Sequence, residues 1–85
     1  MPKTDKLPDN EAREIEFEIK KQIAGAGSNV SDIVKRLNEE YGTSDTPQAI
    51  TRQLKQGTIP LWKVFRIANV LGYEIQWIKK ETSTN

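Results

Sequence analysis

Helix stops recur along this chain at Gly25 and Gly27, Gly42, Gly57 and Gly72, and apolar residues return between them at helical spacing. That punctuation limits the 85 residues to a few short helices, which must bury their faces against one another as one small domain with a limited core. The first helix starts with Asp9 or Asn10 as its cap. Glu11 and Glu14 then suit the positive end of its dipole, and Ala12, Ile15, Ile19, Ile23 and Ala26 form the inner stripe. Phe17 points away from that stripe. In the second helix Asn29 caps with Asp32 three residues on, and Val30, Ile33, Val34, Leu37 and Tyr41 share a face. Ser31, Lys35, Arg36 and Glu39 face outward, and Gly42–Asp45 is a short loop.

The third helix runs over Thr46-Pro47-Gln48-Ala49-Ile50-Thr51-Arg52-Gln53-Leu54-Lys55-Gln56-Gly57. Thr46 can cap it, proline suits its first position, and glycine enters the left-handed conformation of a C-terminal stop without steric cost. Pro47, Ile50 and Leu54 fall on one stripe, while Gln48, Arg52, Lys55 and Gln56 collect opposite, with Ala49 beside them. Glutamine can pair with adenine, arginine with guanine, and a small side chain can meet a thymine methyl. An arbitrary helix with such a face is more often simply solvated, so the neighbouring segments must decide.

The fourth helix is expected to use Thr58 as its cap, with Pro60 in its first turn. Leu61, Val64, Phe65, Ile67, Ala68 and Leu71 make a wide apolar face, with Trp62, Arg66, Asn69 and Val70 toward the other side. Beyond Gly72, Tyr73, Ile75 and Trp77 alternate with Glu74, Gln76 and Ile78. We read a strand over 73–79, in preference to a short fifth helix. A lone strand exposes unpaired backbone, so antiparallel pairing with the same strand of a second molecule is the economical outcome. Its interface would hold Tyr73, Ile75, Trp77 and Ile78. Residues 1–8 read as a flexible arm, 9–80 as the domain and 81–85 as a disordered tail.

The chain lacks cysteine and histidine, which removes disulfides, thiolate chemistry, the usual general base and the usual zinc ligand. No carboxylate pair is placed for acid–base work, so neither an enzyme nor a metal or cofactor site is expected. No apolar run is long enough for a membrane span and no signal segment is visible, so a soluble cytoplasmic protein is expected, without room for a small-molecule ligand domain. Net charge is only +1, but no acidic residue lies between Asp45 and Glu74, an interval that holds Arg52, Lys55, Lys63 and Arg66. One contiguous part of the chain can therefore present a basic face.

The second helix, its turn and the third helix have the order of a helix-turn-helix, in which the first member crosses the phosphate backbone and the second enters the major groove. From about Glu11 to Leu71 the chain resembles the lambda-repressor-like (Cro/CI, or xenobiotic-response-element) family of bacterial and phage regulators. The resemblance rests on Thr46-Pro47-Gln48-Ala49-Ile50, on Gly57 through Pro60, and on Ile67-Ala68-Asn69-Val70-Leu71-Gly72. It implies a mostly α, four-helix domain in which Gln48 and Arg52 touch base edges, Ala49 approaches a base or methyl group, and Thr46 meets phosphate. Pro47 stands where related repressors can carry a base-reading glutamine. The full expected DNA-binding set is Thr46, Gln48, Ala49, Thr51, Arg52, Lys55, Gln56, Thr58 and Lys63. The expected function is a dimeric, sequence-specific double-stranded DNA-binding regulator, most simply a repressor. The competing expectation is an antitoxin-like or adaptor module that uses Trp62, Phe17 and the strand to hold another protein.

Overall fold

The computed structural model describes residues 6–81. Within them the chain is mostly α, with α1 (Asp9–Gly25), α2 (Val30–Tyr41), α3 (Pro47–Gln56) and α4 (Leu61–Leu71), and no strand. Local chemistry sets most of the boundaries. The Asn29 side chain accepts from the Asp32 amide at 2.8 Å and starts α2. Asp32 does not complete a reciprocal box; its carboxylate instead accepts from the Ser28 hydroxyl at 2.6 Å and pairs with Arg36 at 3.1 Å.

Two expected caps differ. Pro8 is the residue ahead of α1 and Pro60 the one ahead of α4, neither with a side-chain cap. The Pro8 and Pro60 carbonyls accept the first helical bonds, while the Thr58 amide donates to the Gln53 carbonyl and closes the end of α3.

The core has two adjoining parts. Ile23, Ile33, Leu37 and Ile67 join α1, α2 and α4; Val34, Ile50 and Leu54 join α2 to α3. Ile19 and Ile59 touch both parts, so α1 and the α3–α4 connection tie them together. Four of these side chains, Ile33, Leu37, Ile50 and Leu54, are wholly buried, each contributing about 1.5–3 kcal/mol by its removal from water. Ala12 is buried where α1 crosses the end of α3, and Leu7, expected in a free arm, lies half-buried against Gly57. The rest of that expected arm, residues 1–5, and positions 82–85 of the expected tail lie outside the described residues.

Two expectations about burial and one about secondary structure need correction. Ile15 and Ala26 belong to the apolar stripe of α1 but are exposed, because α1 rests on its neighbours along Ala12, Ile19 and Ile23 only. Leu61 and Phe65 are exposed as well: α4 turns Ile67 and Val70 inward, and these two stand one turn apart on another flank. The strand expected over 73–79 is not formed. Apart from the Tyr73 amide, which donates to the Ala68 carbonyl at the end of α4, residues 73–81 form neither helix nor strand, and among the described residues no strand offers them a partner edge. Tyr73, Ile75, Trp77 and Ile78 are all exposed, Trp77 almost completely at 92%. Tyr73 and Ile75 border a shallow apolar groove whose other walls are Ile19 of α1 and Val64 and Ala68 of α4.

Candidate nucleic-acid interface

The start of α3 is built as its sequence suggests. The Thr46 hydroxyl accepts from the Ala49 amide at 3.1 Å, Pro47 occupies the first turn, and Gly57 closes the helix at φ +69°. With Ile50 and Leu54 buried, the outward side is fixed. Gln48, Arg52, Lys55 and Gln56 are exposed, Ala49 and Thr51 are half-buried beside them, and Thr46 and Thr58 are exposed at the two ends. Pro47, Gln48, Thr51, Arg52, Lys55 and Gln56 line one continuous surface. Among the described residues, neither Arg52 nor Lys55 forms an ion pair, so both cations remain available to an outside partner.

Lys63 does not belong to that surface. Its side chain is only 11% exposed, and its ammonium lies 2.8 Å from Asp45 Oδ1, so it faces the protein and not a phosphate. Donation from Lys63 holds the Asp45 carboxyl below the usual carboxylate range, aided by the Thr43 hydroxyl and the nearby Arg66 charge, against burial that pulls it upward. Arg66 is also engaged. Its guanidinium lies 4.3 Å from the centre of the Tyr41 ring and 4.9 Å from that of Trp62, a cation held between two aromatic faces. The acid-free interval thus carries four cations, but only Arg52 and Lys55 point out from α3.

Asp45 is further held by α2. Its amide donates to Asn38 Oδ1 at 2.8 Å, and its carbonyl accepts from Asn38 Nδ2 at 3.1 Å. The Thr43 hydroxyl lies within donating distance of Asn38 Oδ1 at 2.8 Å and of Asp45 Oδ2 at 3.1 Å. One asparagine side chain therefore pairs with both polar groups of the residue that precedes the α3 cap. Sequence reading found neither Asn38 nor the partnership of Asp45 with Lys63. The only available hint was Asp45 itself, the last acid before a long basic interval.

No family model, curated protein or solved structure matches this chain. No helix among the described residues is long and apolar enough to cross a membrane, and no described group of His, Cys, Asp or Glu could hold a metal ion. The surface around α3 offers hydrogen-bond donors, amide acceptors and two positive charges on a convex rod. A convex rod suits insertion into a groove better than enclosure of a small molecule.

Proposed function

We propose that this protein is a sequence-specific, double-stranded DNA-binding transcriptional regulator, a repressor in its simplest form, that inserts α3 into the major groove. The observation that carries the reading is the outward face of α3, where Gln48, Arg52, Lys55 and Gln56 are exposed and, among the described residues, neither cation has an ion-pair partner. Gln48 and Arg52 read base edges, Ala49 and Thr51 approach the groove floor, and Thr46, Thr58, Lys55 and Gln56 hold the backbone. The arrangement of α2, turn and α3 supports this reading, as does the likeness of Thr46–Ile50 and Ile67–Gly72 to lambda-repressor-like regulators.

Two cations on each α3 face, Arg52 and Lys55, give weak electrostatic attraction, so the working unit is a homodimer that presents two α3 helices. The exposed apolar residues of the 73–79 segment support self-association there, as an antiparallel ribbon formed only between two copies. Selection of bound duplexes from a random pool tests the reading. A palindromic consensus, with binding that weakens as salt rises, is the expected result. Absence of binding to any duplex at low salt would sink it.

A second reading is a protein-interaction module on the same fold. It is favoured by the exposure of the large apolar side chains Phe17, Leu61, Trp62 and Phe65. Under it, duplex binding is absent and substitutions at Arg52 have no effect on the partner complex.

A further inference from the structure

The helix that faces DNA in this reading is poorly supported on one side. α3 packs on α1 and α2, and α2 on α4, whereas α3 has no comparable packing against α4. Besides the apolar packing of Ile59 in the connection that follows α3, a polar contact ties the turn ahead of α3 to α4. Lys63 reaches from the first turn of α4 to Asp45, the residue ahead of the Thr46 cap, and both side chains are largely buried, at 11% and 15% exposed. Asn38 fixes the Asp45 peptide from the α2 side, so Asp45 is held by two helices before α3 begins. Other charge near this point comes from Arg66, which is itself held by Tyr41 and Trp62.

A buried ion pair contributes little more stability than well-packed apolar side chains would, so this one is better explained by the direction it imposes than by the energy it adds. Binding surfaces keep their selectivity only when the side chains that form them are held to within about 0.5 Å. We propose that Lys63 is a positioning residue for α3: through Asp45 it sets the direction in which the Thr46–Arg52 end of the helix meets the bases, and so governs discrimination among duplex sequences rather than overall attraction to DNA. The proposal rests on the DNA-binding reading and replaces the phosphate-contact role that the sequence suggested for this lysine.

The test compares the full chain with the double variant Lys63→Met, Asp45→Asn, which removes both charges together and leaves neither unpaired. Residual dipolar couplings report the direction of α3 relative to α2. Titrations over a range of salt give affinities for a selected duplex and for a random one. The expected result is a folded protein with altered α3 couplings. Its preference for the selected duplex falls about tenfold, roughly the worth of one bidentate base contact, and the salt dependence is unchanged. Unchanged couplings with an unchanged preference overturn the proposal. So does a salt slope reduced by about one charge at constant preference, which would return Lys63 to the phosphate contacts. If the parent chain binds no duplex, the DNA reading fails alone and the couplings still decide the positioning role. Asp45→Asn by itself is the second variant: it keeps the shape of the link, weakens it, and shifts the same couplings less.

Discussion

Asp45 and Lys63 stand 18 positions apart in the chain, yet their side chains meet at 2.8 Å, between the turn ahead of α3 and the first turn of α4. The consequence for stability follows from the depressed pKa of Asp45. Its contribution is complete above the unfolded carboxyl value of about 3.9, and is lost as pH falls through the lower folded value. Urea denaturation should therefore show the parent losing stability below about pH 4 more steeply than Asp45→Asn, which has no carboxyl to protonate. Parallel pH profiles for the two proteins would refute this account.

Gly57 closes α3 in a left-handed conformation, and a Cβ added there falls 2.5 Å from Leu7 Cδ2 and 3.4 Å from Ala12 Cβ. Gly57→Ala is expected to destabilise the fold by about 1–2 kcal/mol, mostly from backbone conformation. The Leu7 tip can swing aside, so adding Leu7→Ala should recover only a small part of the loss. Full recovery in the double variant would show that the contact, not the backbone, sets the cost.

Arg52 and Lys55 lie one turn of α3 apart in effect but serve different ends in the proposed complex. Arg52→Ala should relax base preference and cost about 1–3 kcal/mol of discrimination, while Lys55→Ala should weaken all duplexes alike and flatten the salt dependence. Competition binding with selected and random duplexes separates the two effects. Equal losses on both duplexes for Arg52→Ala would exclude base reading by that side chain.

The segment after Gly72 makes its own prediction. If two copies pair along 73–79, Ile75→Pro removes a backbone donor from the ribbon and adds a ring that a paired strand does not accommodate. Sedimentation should then report monomers, and affinity for a two-half-site duplex should fall toward that of a single site. A stable dimer of this variant would rule out the ribbon.

What the sequence made legible was local. Asn29 and Thr46 cap the helices they precede, Gly42, Gly57 and Gly72 close those they follow, and Ile33, Val34, Leu37, Ile50 and Leu54 are buried where the helical period puts them, with Val30, Tyr41 and Pro47 half-buried at the ends of the same stripes. Each of these depends on residues within a turn or two of one another. The errors arose where a distant partner decides the outcome. Helical spacing gives α4 a broad apolar face but cannot say which part of it α2 covers, so it puts Leu61 and Phe65 on the same face as Ile67, although only Ile67 is buried. Lys63 read as a surface cation because nothing near it in sequence is acidic, and Asp45 reaches it only through the fold. Alternation in 73–79 identifies side chains suited to a strand but supplies no edge for them to pair with.

The sandwich of Arg66 between Tyr41 and Trp62 also has a spectroscopic consequence. The chain has two tryptophans in different surroundings: Trp62 is 55% exposed but lies against the Arg66 guanidinium, and Trp77 stands almost bare in the C-terminal segment. Emission from a Trp77→Phe protein follows the opening of the Arg66 sandwich within one molecule. Emission from a Trp62→Phe protein responds when something covers the far end of the chain. Folding and self-association can thus be followed as two separate optical signals, without attaching a dye.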